Sequence, residues 1–302
     1  MNKIKILRLI ARLNIGGPAI HTILLTQGLD QARFESLLVC GSIGKDEGDM
    51  SYYALEKDVK PFFIPQLRRE LNFFNDSVSF LKILRLIFTL RPDIIHTHTA
   101  KAGTLGRASG IIYNICNLLS NRKIRLVHTF HGHVFEGYFS FFKTKLFIYI
   151  ERVLSYFTSK IITVSAAVKN ELILLGISKA NKIEVVPLGF ELDKFLDITL
   201  RDNDVLSIGV VGRLVPVKNH HLFLKSAAKL LKENPGVDLR FKIIGDGELR
   251  KELVGYSRIL GISDYVDFLG WQRDLVKVYS GLDIVALTSL NEGTPVSIIE
   301  AM

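Results

Sequence analysis

The sequence predicts an α/β protein made of two doubly wound, parallel-sheet domains. Apolar strand-like runs alternate with helix-like stretches from Ile4 onward, at a pitch that calls for parallel strands with helical crossovers. The alternation breaks once, over a charged and aperiodic stretch at 191–204, and restarts at Leu206. A chain of 302 residues with 48% hydrophobic content can fill two cores. The expected division is an N-terminal domain over 1–190, a linker over 191–204 and a C-terminal domain over 205–302.

In the first half, Ile4 to Ile10 reads as a buried strand and Pro18 to about Leu29 as a helix. Between them, Gly16 and Gly17 would allow a ligand close to the backbone at the helix N-terminus. Their spacing is not GxGxxG, so a simple tight turn explains them equally well. Phe34 to Cys40 and Pro61 to Pro65 follow as strands, and Ser77 to Leu90 as a helix that stops before Pro92. Asp93 to Thr99 is the next strand, Gly103 to Leu119 a helix, and Arg125 to His133 a strand with its exit loop. Lys160 to Ser165 is a strand, Ala166 to Leu175 a helix, and Ile183 to Phe190 the strand before the linker.

The second half repeats the scheme. Leu206 to Val211 is a strand, Gly212 to Asn219 a loop and His220 to Leu231 a helix. Leu239 to Ile244 is a strand ending in Gly245-Asp246-Gly247-Glu248, with a helix to about Leu260. The strand Val266 to Gly270 and the apolar run Asp283 to Leu287 complete the pattern. Ligands of such sheets sit beyond the carboxyl ends of the strands.

Glu292 and Glu300 lie eight positions apart at the end of the chain. Thr294 and Pro295 read as the N-cap and first residue of a helix starting between them, with amides that favour an anion. A phosphate in the middle with hydroxyl-bearing groups at either end describes a sugar nucleotide. Arg213 offers a fork for two oxygens and Lys218 a point charge, which together can stabilise a departing diphosphate. This segment resembles the E-x7-E signature of family 4 retaining glycosyltransferases with the GT-B architecture. The blocks His96 to Arg107 and His128 to Phe135 are similar to those of family members that build bacterial exopolysaccharide, capsule or O-antigen.

The resemblance implies two Rossmann-like domains facing across a cleft. It implies that Glu292 and His131 approach the transferred sugar, that Glu300 holds the ribose, and that Arg213 and Lys218 clamp the diphosphate. Gly16 and Gly17 would line the approach to the phosphates, and the backbone near Leu269 would meet the nucleobase. No resident cofactor or metal is expected. The donor would be a nucleoside-diphosphate sugar, with UDP or GDP as the nucleotide, and the acceptor a lipid-linked or other saccharide. At the family's Asn-Gly turn this chain has Leu188, which removes any side-chain contact from that position. A family member continues past the position of Met302, so the second sheet is expected to be incomplete and the chain marginal in stability or activity.

Charge is uneven: residues 1–190 carry 25 Lys and Arg against 14 Asp and Glu, and residues 191–302 carry 14 against 16. A basic first half suggests an anionic partner. No zinc-finger or RNP-type motif points to nucleic acid, and the anionic cytoplasmic leaflet is the partner expected. Phe135 to Phe157 holds nine of the 29 aromatic residues, interspersed with Lys143, Lys145 and Arg152, as suits a membrane interface, although packed rings would read the same way. Two cysteines far apart, charges inside the opening apolar run, and no uncharged apolar run of about 18 residues predict a cytoplasmic protein, peripheral at the inner face of the membrane.

Two rival readings follow from other residues. His96, His98, His128, His131 and His133 gather at strand ends, and His96 and His98 share a strand face beside Asp93, so a metal-dependent hydrolase is conceivable. Asp202-Asn203-Asp204 is a D-x-D triplet of the kind that holds a divalent metal, and it also fits a solvated linker. A non-catalytic sugar-nucleotide-binding protein is the alternative outside enzymology.

Overall fold

The computed structural model describes residues 3–44, 47–119, 122–132, 141–198 and 205–302. Expectations for His133, for Phe135 to the end of that loop and for Asp202-Asn203-Asp204 lie outside the described residues. The elements in chain order are β1 (Ile4–Arg12), α1 (Gly17–Gln27), β2 (Phe34–Gly41), α2 (Ser51–Glu56), β3 (Phe62–Ile64), α3 (Phe73–Leu90) and β4 (Ile94–His98). After these come α4 (Ala100–Cys116), β5 (Arg125–Phe130), α5 (Phe141–Phe157), β6 (Lys160–Thr163), α6 (Ala166–Leu174) and β7 (Ile183–Val185). The remainder are β8 (Leu206–Val211), α7 (His220–Glu233), β9 (Leu239–Ile244), α8 (Arg250–Ile259), β10 (Val266–Gly270), α9 (Leu275–Tyr279), β11 (Ile284–Val285) and α10 (Val296–Ala301).

These elements form two compact units, Met1–Lys45 with Asp49–Gly189, and Asp46–Gly48 with Phe190–Met302. In the first unit the strand order is β3-β2-β1-β4-β5-β6-β7, and in the second it is β10-β9-β8-β11. All pairings within the two sheets are parallel. Each sheet therefore has a point where the winding reverses, between β1 and β4 in one and between β8 and β11 in the other. Crevices at such points are where doubly wound sheets bind ligands.

Strand periodicity builds both faces of the first sheet. Leu7 and Leu9 of β1 pack with Ile83 and Ile87 of α3 on one side. Ile10 packs with Ala19 and Ile23 of α1 on the other. Arg8, one residue out of phase with Leu7 and Leu9, shares the second face. The core of the second unit gathers Ile208, Val210, Phe223, Leu224, Phe241, Ile243 and Leu253.

Some boundaries differ from the sequence reading for identifiable reasons. Helix α3 starts at Phe73, four residues early, because Asn72 caps it: its side chain accepts from the Asn75 N–H at 2.9 Å, and Asp76 accepts from the Asn72 N–H at 3.2 Å. Helix α4 starts at Ala100, directly after β4, because Thr99 turns the chain sharply at φ +65°. Helix α10 begins at Val296 with Pro295 as its N-cap and no side-chain bond, so Thr294 does not cap it as expected. The short helices α2 and α9 fall in stretches whose periodicity is too brief to read. Among the described residues, no helix is long and apolar enough to cross a membrane.

Candidate active site

In the second unit, the chain leaves β8 through Gly212 and Arg213, makes a 3₁₀ turn over Pro216–Lys218, and enters α7 through Asn219 at φ +49°. The glycine required here is Gly245, after β9, because it meets the backbone of Gly212. A Cβ on the facing Gly245 would lie 2.0 Å from the Gly212 carbonyl oxygen, and Gly245 itself has φ +136°, so the loops after β8 and β9 touch backbone to backbone. The Leu214 N–H donates to the Asp246 carbonyl at 2.9 Å, and the buried Leu214 side chain roots this loop in the core.

Two further bonds bind the segment after β11 to the same turn. The Leu290 N–H donates to the Val217 carbonyl at 2.8 Å, and the Thr288 hydroxyl donates to the Lys218 carbonyl at 3.0 Å. Lys218 Nζ then meets Glu292 Oε1 at 2.5 Å. The turn and the acidic segment thus converge at the winding-reversal point of the sheet. Arg213 lies half-buried in the same loop. Thr288 escaped the sequence reading because a lone threonine after a strand carries no signal.

Glu300, in α10, accepts a hydrogen bond from the Tyr279 hydroxyl at 2.8 Å. Burial raises the Glu300 carboxyl above its ordinary range, while the Tyr279 hydrogen bond and the Lys194 charge oppose the shift. The Tyr279 phenol is pushed up by burial and by the neighbouring carboxylate. Its ring is braced edge-on by Phe195, with centroids 5.5 Å apart. Leu269 sits at a register shift in β10, between Phe268 and Gly270, and its carbonyl accepts from Gln272 Nε2 at 2.8 Å.

In the first unit, the reversal point between β1 and β4 is filled by basic and imidazole side chains. Gly16, with φ +154° and no side chain, precedes α1, and Gly17 opens the helix. One turn further on, His21 presents its ring to His98 and His131, with centroids 6.1 and 5.4 Å away. Arg8 Nη1 donates to His96 Nδ1 at 2.8 Å, and His96 Nε2 meets Thr129 Oγ1 at 2.8 Å. His98 Nδ1 lies 2.9 Å from His131 Nε2. Arg8 is buried without a carboxylate partner among the described residues. Desolvation lowers its guanidinium to about 10, which still leaves it charged at neutral pH. Burial, then the Arg8 charge, lowers His21 to about 4; burial, then His21, lowers His131 to about 3. His96 and His98 are held well below the ordinary imidazole range, first by burial.

The structure argues against the metal-hydrolase reading. Both His96 ring nitrogens are engaged, and Asp93 lies at the opposite end of β4 from His98, where it accepts from the Lys5 N–H and pairs with Arg122. No group of three or more His, Cys, Asp and Glu residues among those described is arranged to hold a metal. His128 is a core residue: it bonds Thr97 Oγ1 at 2.8 Å and abuts Gly103 so closely that a Cβ there would meet its ring at 2.5 Å. A cavity of about 400 Å³ lined by Lys3, Gln31, Glu35 and Lys60 opens at the amino ends of β1 and β2, the end of the sheet away from the histidines.

Comparison with known proteins fits this geometry. The family model described as "Glycosyltransferase Family 4" matches residues 15–194, and that for "Glycosyl transferases group 1" matches residues 193–302. The chain is 30% identical over 290 residues to the UDP-Gal:alpha-D-GlcNAc-diphosphoundecaprenol alpha-1,3-galactosyltransferase of Escherichia coli, covering 90% of this chain and 70% of that protein. It is 27% identical to the GalNAc-alpha-(1->4)-GalNAc-alpha-(1->3)-diNAcBac-PP-undecaprenol alpha-1,4-N-acetyl-D-galactosaminyltransferase of Campylobacter jejuni, covering 99% of this chain and 76% of that protein. It spans only 60% of the Staphylococcus aureus capsular glycosyltransferase CapM, to which it is 25% identical. Among solved structures, Anabaena HepE in complex with UDP and glucose superposes with a TM-score of 0.76 at 20% identity, over 99% of this chain and 78% of that one.

Proposed function

This chain belongs to glycosyltransferase family 4 and has the GT-B fold, and we propose that it moves a hexose-type sugar from a nucleoside-diphosphate sugar to a lipid-linked saccharide, with retention of configuration and without a metal. The observation that carries this reading is the convergence of the β8 turn with the segment after β11, which sets Lys218 against Glu292 at 2.5 Å in the loop that also holds Arg213. In the proposed roles, Arg213 and Lys218 take the diphosphate and Glu300 the ribose. The backbone at Leu269 meets the base, Glu292 and His131 contact the sugar, and Gly16 and Gly17 leave room for the phosphates. The first unit is assigned to the acceptor and the second to the donor, joined through 191–204.

The main chemical task is to stabilise charge on the departing diphosphate. Fixed cations aimed at that charge lower the barrier without having to reorganise, and removing one donor of this kind typically costs about 10²- to 10³-fold in rate. Positioning of the acceptor hydroxyl supplies the rest. The activities of the E. coli and C. jejuni relatives, both on undecaprenol-diphosphate-linked saccharides, support a lipid-linked acceptor, and the S. aureus capsular relative supports polysaccharide as the product. An inner-membrane surface location agrees with that acceptor. Helix α5 carries exposed Phe142, Leu146, Tyr149, Val153 and Tyr156 at helical spacing, in a half of the chain with a charge balance of +11.

Thermal stabilisation by a panel of UDP-, GDP- and ADP-sugars, with EDTA present, tests the donor assignment. The expected result is a rise in Tm with UDP-sugars or GDP-sugars that survives EDTA and shrinks in Glu300→Ala. No rise with any nucleotide sugar would overturn the reading. The anomeric configuration of the product, read by NMR, tests retention.

A further inference from the structure

The hydrogen bonds of the histidine cluster determine where its protons lie. A guanidinium can only donate, so the Arg8 bond makes His96 Nδ1 an acceptor. The His96 proton is therefore on Nε2, which donates to Thr129 Oγ1. Between the neutral rings of His98 and His131, one nitrogen donates and the other accepts across 2.9 Å. Either choice leaves one N–H and one lone pair without a partner, at His98 Nε2 and His131 Nδ1, both shielded from water.

The surroundings decide between the two. His98 is fully buried and feels the positive charge of Arg8, where a bare lone pair is easier to keep than an N–H pointing at nothing. At His131, in the loop that leaves β5, the neighbouring ring is His21, itself held neutral, so an N–H there faces no fixed positive charge. The orphan N–H therefore belongs on His131, with His98 Nδ1–H donating to His131 Nε2.

We propose that His98 is a positioning residue that fixes His131 as its neutral Nδ1–H tautomer, so that His131 Nδ1 donates a hydrogen bond to an oxygen of the bound sugar. The inference rests on the reading of His131 as a sugar contact. Among the described residues, the groups facing His131 are His21 from α1, His96 and His98 from β4, and His128 from β5. None is acidic, so nothing in the cluster supports an imidazolium, and the donor keeps its proton and its neutrality across the whole neutral range. Such a donor discriminates for a hydroxyl oxygen without adding a charge that would bind the nucleotide's phosphates in the wrong place.

The test combines ring ¹⁵N NMR of the intact chain with kinetics at position 98. In the wild type, His131 should show the Nδ1–H tautomer and should not titrate between about pH 5.5 and 8, given its ordinary value of about 6.5. Titration in that window, or an Nε2–H tautomer, would overturn the proposal. His98→Asn, whose amide reaches the place of Nδ1, should keep kcat/KM for the sugar nucleotide within about threefold. His98→Ala should lose about tenfold or more, the worth of one buried hydrogen bond, and gain an acid limb near about pH 6 as water reaches His131. Equal losses in the two variants at wild-type Tm would show a merely structural role. If His131→Ala leaves transfer unchanged, the sugar-contact reading has failed; if it impairs transfer while His98→Ala does not, only the positioning role has.

Discussion

Lys218 and Glu292 are 74 residues apart in sequence and form an ion pair at 2.5 Å, with each side chain about one-fifth exposed. The pair neutralises the cation that the proposed donor site assigns to the diphosphate. In the proposed donor site the carboxylate would compete with the nucleotide's phosphates for that cation and would contact the sugar.

Glu292→Gln should therefore separate binding from transfer. Without the competing charge, UDP should bind a few-fold more tightly, while transfer should fall by about 10²-fold or more; Lys218→Met should weaken both. Calorimetric titration with UDP beside initial rates of transfer reads the split. Equal weakening of binding and rate in Glu292→Gln would contradict it.

The Tyr279–Glu300 bond gives a second test, through pH. Burial holds the Glu300 carboxyl above its unfolded value, so its contribution to stability is fully present below that value and is lost as pH rises through the folded one. Glu300→Gln, permanently neutral, escapes the loss. The Tm of the ligand-free variant should gain on wild type between about pH 4 and 8, while its affinity for the nucleotide drops by about tenfold through loss of a charged acceptor. A Tm difference that stays flat with pH would show that Glu300 is not desolvated.

Arg107 and Glu151 make a different kind of pair. Arg107 Nη2 reaches both Glu151 oxygens at 2.7 and 2.8 Å, and its Nε donates to the Gly103 carbonyl, locking α4 to α5 inside the protein. Glu151→Gln strands the guanidinium and should cost about 3–5 kcal/mol in denaturant unfolding, whereas replacing both residues by leucine should cost less. The double variant being the weaker of the two would reverse this account.

Much of the fold was legible because the strands are apolar on both faces and the helices are punctuated by Pro92, Gly16 and the like. The boundaries that moved were set by side-chain caps such as Asn72 and by the turn at Thr99, which periodicity does not register. In the candidate site, Arg213, Lys218, Glu292 and Glu300 were readable as residue types, but not that Lys218 and Glu292 would neutralise each other. The Gly212 to Gly245 approach was hidden because it joins two loops whose only sequence mark is a glycine. Tyr279 was missed because a tyrosine in a five-residue helix announces nothing, and Arg8 because a charge inside the opening apolar run speaks only against a signal peptide.

Arg8 also limits what could replace it. A lysine there would satisfy any substitution table, yet an ammonium ion buried among imidazoles, with no carboxylate partner among the described residues, sheds its proton far more readily than a guanidinium does. Once neutral, the amine could accept as well as donate, and His96 would be free to take either tautomer. The exchange that looks mildest on paper would thus unsettle the orientation of protons through His96 and Thr129, which makes position 8 a poor place for an engineer to economise on arginine.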